Sequence, residues 1–292
     1  MKLIVHGGAG SDPDEPADRH AVLREAAESG AAEPTPLEAV VSAVGVLETS
    51  PRFNAGVGGA VQADGVVRTD AGLMTDERAV GAVCAVPGVV EAAAVARAVL
   101  ERTPHVLLSG EEAARVAAEI GLDTDRDLLT EDTRARYESA EPPTDDFGSV
   151  LEWVDDRFGT AEYAGTGDHD TVGAVAVADD GRSAAATSTG GRWFALPGRI
   201  GDTPQVGAGF YASEVGGASA TGWGEDIARG TMSREAVRRL EAGTDPQPAA
   251  EQAVSSLEAE TGAHAGIILA DSDGRVGSAF NTELMQTATA NR

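Results

Sequence analysis

The sequence predicts an α+β protein in which sheets and helices form separate layers. Strand-like and amphipathic helical segments occur in both halves of the chain, but without the regular βαβ alternation that builds a parallel sheet. Apolar runs end at glycine-rich turns, and Asp-Gly within the segment 179–182 is typical of a β-hairpin. The 42% hydrophobic content of the 292 residues is enough for a substantial core.

The amino-terminal half contains a well-marked helix start. Thr35 is a favoured N-cap residue type, Pro36 suits the first helical position, and Glu38 lies three residues beyond the cap. The glycines at 7–10 are expected to end the first strand. The predicted elements of this half are strands at 3–5 and 106–108, a loop followed by a strand over 55–69, and helices at about 17–29, 36–48, 90–102 and 111–120.

The segment of about 121–170 differs from the rest, because 15 acidic residues and four arginines give it a large negative charge. We predict a linker that is mobile at least in its second half, with a solvated helix at 147–158 as a compatible alternative. The elements predicted after it are strands at 172–178, 183–187, 206–211, 217–220, 264–270 and 276–280, and helices at 225–240 and 249–260.

The formal net charge of −26 excludes a nucleic-acid or anionic-membrane partner, since such surfaces would be repelled. Lys2 is the only lysine. A GC-rich genome would explain the scarcity of lysine but not the 48 acidic residues, so we predict adaptation to molar salt, a halophilic protein. The start of the chain lacks a signal-peptide pattern and no apolar run approaches a membrane span, which predicts a cytoplasmic protein.

The sequence has no recognisable cofactor-binding motif and only one cysteine, so an intrachain disulfide is not possible. Cys84 is the single cysteine and its apolar neighbours predict a core position. Zinc, EF-hand, Walker and dinucleotide motifs are absent from the sequence, so no required cofactor and no metal ligands are expected.

A candidate nucleophile stands where the acidic segment meets a strand. If the chain were cut after Asp170, Thr171 would gain an α-amine that titrates at about 7.7–8.0 and could serve as the base for its own hydroxyl. From composition alone, the later Thr- and Gly-rich segments are turns between strands, so these residues by themselves leave catalysis open.

Six segments in order resemble the plant-type asparaginase, isoaspartyl aminopeptidase and glycosylasparaginase family of N-terminal-nucleophile hydrolases, over nearly the whole chain. These segments are His6-Gly7-Gly8-Ala9-Gly10, Phe53-Asn54-Ala55-Gly56, His169-Asp170-Thr171-Val172-Gly173, Thr187-Ser188-Thr189-Gly190-Gly191, Gly198-Arg199-Ile200-Gly201-Asp202-Thr203-Pro204 and Gly207-Ala208-Gly209-Phe210-Tyr211.

The resemblance implies one domain with a four-layer αββα sandwich, made as a precursor that cleaves itself between Asp170 and Thr171. The fragments 1–170 and 171–292 would form an αβ pair, and two pairs a homodimer. The implied activity is hydrolysis of the side-chain amide of L-asparagine and of β-aspartyl dipeptides, both small-molecule substrates. Family members can also hold a structural sodium ion on backbone carbonyls of the loop 47–57.

The resemblance also implies the roles of the catalytic residues. Thr171 would be the nucleophile and Thr189 would tune its hydroxyl. Thr221 and the backbone N–H of Gly222 would stabilise the oxyanion and contact the substrate.

For the substrate, Arg199 would bind the α-carboxylate and Asp202 the α-ammonium. The alternative for this pair is a turn salt bridge, worth at most about 1 kcal/mol if exposed. Asn54 and His6 would support self-cleavage, and a histidine that simply closes a strand is an equal alternative for His6.

Departures from the family pattern keep other hypotheses open. Asp170 replaces the glycine usual in asparaginases and resembles the glycosylasparaginase branch, whereas the amino-terminal tryptophan of that branch is missing. The segment 192–197 lacks the common Asn-Lys pair, which leaves the leaving-group side undefined. We therefore favour asparagine and isoaspartyl dipeptides, with a glycosylasparaginase and an unprocessed, non-catalytic scaffold as alternatives.

Overall fold

A computed structural model describes residues 1–13, 15–143, 146–158 and 171–292. Its helices are α1 (Pro16–Ala31), α2 (Pro36–Glu48), α3 (Ala92–Arg102), α4 (Gly110–Glu119), α5 (Glu131–Ala140), α6 (Phe147–Phe158), α7 (Gly224–Gly230), α8 (Met232–Glu241) and α9 (Pro246–Thr261). Its strands are β1 (Lys2–Gly10), β2 (Arg68–Thr75), β3 (Val80–Pro87), β4 (Leu107–Ser109), β5 (Val172–Val177), β6 (Ser183–Thr189), β7 (Phe210–Ser213), β8 (Gly216–Gly222), β9 (Ala265–Asp271), β10 (Val276–Phe280) and β11 (Leu284–Asn291).

Within these described ranges the strands form two sheets. The larger sheet has the order β11-β1-β5-β6-β2-β3-β4, and the smaller has the order β10-β9-β8-β7. The named neighbours pair antiparallel, apart from the parallel pair β3 and β4. The predicted α+β class is therefore confirmed. Strand β5, which begins at the residue after Thr171, lies inside the larger sheet between β1 and β6.

The two sheets face each other, and helices pack on their outer faces. Helices α1, α2 and α3 contact the larger sheet, α8 and α9 contact the smaller one, and β5 and β6 contact β8 between them. Side chains of β1 alternate accordingly: Leu3 and Val5 belong to the core under α1 and α2, whereas Ile4 belongs to the core between the sheets. The central strands are thus buried on both faces.

The helix predicted at 36–48 is confirmed as α2, and the Thr35 hydroxyl accepts a hydrogen bond from the Glu38 N–H as an N-cap does. Other boundaries were wrong. Strand β1 continues through the glycines to Gly10, because β11 pairs with it on both sides of a register shift between His6 and Ala9. The helix expected at 225–240 is two helices, interrupted where Thr231 adopts a φ of 45°.

The described part of the predicted linker at 121–170 contains two helices. Helix α5 begins with a capping box between Thr130 and Thr133, and the Tyr137 hydroxyl donates to the Ala63 carbonyl oxygen at 3.2 Å. The alternative helix at 147–158 is confirmed as α6. Residues 159–170, which include Asp170, lie outside the described residues.

The single cysteine lies in the core of the protein. Cys84 is buried in β3 with a free thiol, as expected, and burial, with the charge of Asp70, raises its pKa to about 11. No helix in the described parts of the chain is long and apolar enough to cross a membrane.

Candidate active site

Most of the predicted site residues meet in one narrow cleft of about 280 Å³. It lies where β5 begins, β6 ends and β8 passes into α7. Its lining residues are Thr171, Thr189, Gly191, Arg192, Arg199, Gly201, Asp202, Thr203, Gly222 and Gly224.

The nucleophile candidate is held by the pairing of two strands. Because Val172 pairs with Ser188, the residues just before and after them, Thr171 and Thr189, lie side by side. The Thr171 hydroxyl donates to Thr189 Oγ1 at 3.4 Å, and the Gly191 N–H donates to the same oxygen at 3.1 Å. The Thr189 hydroxyl in turn donates a hydrogen bond to the carbonyl oxygen of Asn54 at 3.4 Å. The donor and the acceptor of each hydroxyl hydrogen bond in this series are therefore defined.

Asn54 fixes the turn that follows Thr189. Its Nδ2 donates to the Gly191 carbonyl oxygen at 2.7 Å, and its Oδ1 accepts from the Ala60 N–H at 2.7 Å. The Gly190 N–H donates to the Asn54 carbonyl oxygen at 2.8 Å. A side chain at Gly190 would collide with Asn54 and with Gly59, so glycine is required there. Asn54 thus orders the loop on which the Thr171–Thr189 contact depends.

The predicted oxyanion residues end strand β8. Gly222 lines the cleft with a φ of 135°, and a Cβ there would collide with the His264 carbonyl oxygen. Thr221 is fully buried, and the Ala9 N–H donates to its Oγ1 at 3.4 Å. The glycine-rich end of β1 therefore contacts Thr221 directly.

Arg199 is anchored by a residue that sequence reasoning missed. Its Nε and Nη2 donate to the two carboxylate oxygens of Glu225, both at 2.8 Å. Burial alone would raise the pKa of Glu225, but hydrogen bonds and charge from Arg199, with a contribution from Arg192, hold it at about 2. Glu225 lies in the first turn of α7, shortly after the Thr221-Gly222 motif. A buried guanidinium needs a carboxylate partner, and this need is the signal that could have indicated Glu225.

Asp202 is buried beside this pair, with 3% of its surface exposed. Its Oδ2 has no hydrogen-bond partner among the described residues. Burial raises the pKa of this carboxyl to about 7, despite the opposing charge of Arg199. A buried acceptor without a partner in a cleft is suited to a cationic group of a ligand. The exposed turn salt bridge considered for Arg199 and Asp202 is not what the structure has, because Arg199 pairs with Glu225.

His6 lies outside the cleft lining, on β1, in a buried hydrogen-bond chain. The Gly8 N–H donates to Nδ1 at 3.3 Å, which leaves Nε2–H to donate to the Ser219 hydroxyl at 2.9 Å. The Ser219 and Thr187 hydroxyls are 2.7 Å apart, and Thr187 donates to the Gly209 carbonyl oxygen. Burial lowers the pKa of His6 to about 3, so the ring is neutral. This chain ties the two sheets together behind Thr171.

Two further buried acids lie behind the turn of Thr189. The Glu48 Oε1 accepts from the Ser188 hydroxyl at 2.6 Å and from the Ala93 N–H at 3.0 Å, and burial raises its pKa to about 8. Asp70 pairs with Thr189 across β2 and β6, and burial raises its pKa to about 7. Neither acid lies inside an apolar run, because polar residues adjoin both in the sequence, so no sequence signal indicates their burial.

A family model described as Asparaginase matches residues 1–292. The chain belongs to the Asparaginase family. It is similar to the plant-type L-asparaginase of Pyrobaculum calidifontis, with 42% identity over 97% of this chain and 94% of that protein. It is also similar to the plant-type L-asparaginase of Pyrococcus furiosus, with 40% identity over 99% and 95%. The isoaspartyl peptidase/L-asparaginase of Danio rerio is 35% identical over 99% of this chain and 91% of its own length.

The cleft of this chain brings together a candidate nucleophilic hydroxyl (Thr171), a cation (Arg199) and a buried carboxylate (Asp202). The described residues hold no cluster of three or more His, Cys, Asp or Glu side chains arranged for a metal.

Proposed function

We propose that this chain is a self-processing amidohydrolase that hydrolyses the side-chain amide of L-asparagine and of β-aspartyl dipeptides, releasing L-aspartate. The observation that carries the proposal is the shared cleft of Thr171, Thr189, Arg199 and Asp202. The names of its relatives, plant-type L-asparaginase and isoaspartyl peptidase/L-asparaginase, agree with this substrate class.

In the proposed precursor, cleavage between Asp170 and Thr171 separates an α subunit (1–170) from a β subunit (171–292). The fold then corresponds to a four-layer αββα sandwich, a proposal supported by helices on the outer faces of two sheets that contact each other. Thr171 directly precedes β5, an interior strand of the larger sheet, so a cut before it frees its amine without removing that strand. Asn54 and His6 hold the surrounding backbone, the first through the Thr189 turn and the second through Ser219.

The first chemical step forms an ester. The free α-amine of Thr171 accepts the proton of its own hydroxyl as Oγ1 attacks the side-chain carbonyl carbon of the substrate. Thr189 orients that hydroxyl, and Thr221 with the Gly222 N–H stabilises the negative oxygen that develops. When the tetrahedral intermediate collapses, the C–N bond breaks and the amine returns the proton to the leaving nitrogen. Ammonia leaves from asparagine, and an amino acid leaves from a β-aspartyl dipeptide.

The second step hydrolyses the ester. Water attacks the acyl carbon while the Thr171 amine accepts its proton, and the proton returns to Oγ1 as the C–O bond breaks. Aspartate is released and the threonine is restored. Through both steps Asp202 pairs with the α-ammonium and the guanidinium of Arg199 with the α-carboxylate, which keeps the reacting carbonyl in one position.

Other parts of the expectation remain predictions. Assembly into a homodimer of αβ pairs, a cytoplasmic location and a halophilic character are inferred from sequence alone. The loop proposed to hold sodium offers hard carbonyl oxygens, although those of Leu47, Glu48 and Asn54 already accept backbone N–H groups. A structural sodium ion on this loop therefore stays a prediction from the resemblance, and no catalytic step uses it.

Replacing Thr171 tests the proposal. The wild-type protein in molar salt should give two fragments by mass spectrometry, with a new amino terminus at Thr171, and should release ammonia from asparagine. Thr171→Ala should give one uncut, inactive chain. A cut and active mutant would overturn the assignment. An uncut, inactive wild-type protein would favour the scaffold alternative, and faster turnover of N-acetylglucosaminyl-asparagine would favour the glycosylasparaginase alternative.

A further inference from the structure

The first strand contains a β-bulge at its glycines. The register of β1 with β11 shifts between His6 and Ala9, so the two glycines between them oppose one residue of β11. The pairing of β1 with β5 ends where His6 meets Gly173. The bulge therefore lies beside the start of β5, the strand that follows Thr171.

The bulge controls a hydrogen bond to a proposed oxyanion residue. Directly after it, the Ala9 N–H donates to Thr221 Oγ1 at 3.4 Å. Thr221 is fully buried in β8, so this hydrogen bond crosses from the larger sheet to the smaller one. A β-branched side chain has few rotamers, and a hydrogen bond at Oγ1 selects one of them. The conformation of the bulge therefore sets the position of the Thr221 hydroxyl.

A buried arginine of α1 holds the bulge. Arg19, with 6% of its surface exposed, donates from Nη2 to the Gly7 carbonyl oxygen. Its guanidinium also stacks on the Phe53 ring, 4.7 Å from the ring centroid. A side chain at Gly7 would lie 2.6 Å from that ring, so the ring packs directly against the bulge. The stacking fixes the plane of the guanidinium and therefore the direction of its N–H groups.

The same helix also contacts the residue opposite the bulge. Gln286 of β11 opposes the two glycines, and its Nε2 donates to the Pro16 carbonyl oxygen at the start of α1, at 2.8 Å. The other buried residues of α1 are small or apolar. A buried guanidinium is costly unless its charge and its N–H groups are used, so packing alone does not explain an arginine at position 19.

We propose that Arg19 is a positioning residue that holds the β1 bulge and, through the Ala9 N–H, keeps Thr221 in place for the hydrolysis. This inference rests on the proposed function, in which Thr221 stabilises the oxyanion. Arg19 is not among the residues that line the cleft. Its loss should therefore lower kcat and leave substrate binding nearly unchanged.

The test measures kcat and KM for asparagine in molar salt, with kcat counted per chain cut before Thr171. Arg19→Gln removes the charged donor and should lower kcat at least about tenfold, with KM within about twofold of wild type, because a misplaced transition-state contact costs rate. Arg19→Lys keeps a charged donor and should recover part of the rate. Arg24→Gln is the matched control and should keep both wild-type values, because Arg24 is exposed on the same helix.

A double-mutant cycle distinguishes this positioning role from a general effect on the fold. Thr221→Val removes the oxygen that accepts from the Ala9 N–H. In that background Arg19→Gln should lower kcat by less than about threefold further, since residues that act through one contact are not additive. An equal fall in both backgrounds, or an unchanged kcat in Arg19→Gln, would overturn the inference while leaving hydrolysis of asparagine by the wild-type protein intact.

Folding is checked by the denaturation midpoint of each variant in molar salt. If Arg19→Gln does not fold, Arg19→Met takes its place, because methionine fills the space without a hydrogen-bond donor. Failure of both variants to fold would also overturn the inference, since Arg19 would then be required for the fold itself. A wild-type protein that hydrolysed no asparagine would instead contradict the proposed function, before any variant is compared.

Discussion

The two sides of the cleft are built from different kinds of groups. The side of Thr171 consists of strand residues whose contacts are neutral hydroxyls and amides. The side of Arg199 consists of loop and helix-start residues in which cations face carboxylates. Strand pairing therefore sets the position of the nucleophile, whereas the balance of buried charges sets the position of the binding groups.

This difference indicates how each side should respond to change. A chain of hydroxyls loses its geometry when one hydroxyl is removed, and the hydroxyls themselves do not titrate near neutral pH. The free α-amine of Thr171 is the group on this side that does. A buried charge cluster responds to each lost partner and to pH, because desolvation makes every uncompensated charge costly. Substitutions on the first side should therefore lower kcat, and those on the second side should raise KM.

The largest effect is expected at Thr189. Thr189→Val keeps the shape of the side chain but removes the oxygen that accepts from the Thr171 hydroxyl. We expect kcat for asparagine to fall by about 10²-fold with little change in KM, in the range typical for groups that assist proton transfer. Thr189→Ser should recover most of the rate. A kcat for Thr189→Val within about threefold of wild type would contradict this account.

A smaller effect is expected at Glu225. Glu225→Gln removes the charge that orients Arg199, and hydrogen bonds to charged groups are worth about 1.5–3 kcal/mol, reduced here by partial exposure. We expect KM for asparagine to rise about tenfold and kcat to change less. Glu235→Gln is the control, because Glu235 also bonds an arginine and has the same 41% exposed side chain as Glu225. If both variants raised KM for asparagine equally, Glu225 would have no specific role in substrate binding.

The pH dependence of binding should follow Asp202. Its raised pKa of about 7 means that below this pH the free enzyme increasingly holds a neutral carboxyl, which offers no charge to the substrate ammonium. We expect KM for asparagine to rise as pH falls from 7.5 to 5.5, approaching about tenfold per pH unit below the pKa. Steady-state kinetics of Asp202→Asn should show a higher KM with that slope removed. A constant wild-type KM over this range would disprove the prediction.

The smallest effect concerns stability and Glu48. Its pKa of about 8 in the folded protein lies above the ordinary value of 4.5, so the folded state binds the proton more tightly. The stabilisation from this proton is complete below pH 4.5 and is lost as pH rises through 8. Glu48→Gln should therefore make the denaturation midpoint, measured in molar salt, less dependent on pH between 5 and 9. An unchanged slope would show that Glu48 is not the group responsible.

Local sequence signals located many elements because their causes are local. The Thr35 cap and Pro36 define the start of α2, and the Asp-Gly turn joins β5 and β6. Strand β1 was predicted too short, because its glycine-rich end becomes a strand only through pairing with β11, almost the whole chain away. The helix break at Thr231 directly follows Gly230, which ends α7, and the prediction of one continuous helix did not use that glycine as a stop signal.

The sequence alone determined the α+β class, the resemblance to the family and the identity of Thr171, Thr189, Arg199 and Asp202 as candidates, since these depend on residue types and their order. Only the tertiary structure decided which groups accompany them. Glu225 became the partner of Arg199, and one oxygen of Asp202 was left without a hydrogen-bond partner among the described residues. Such contacts join residues far apart in the chain. Burial strengthens their electrostatic interactions, and residue composition alone does not predict which residues are buried together.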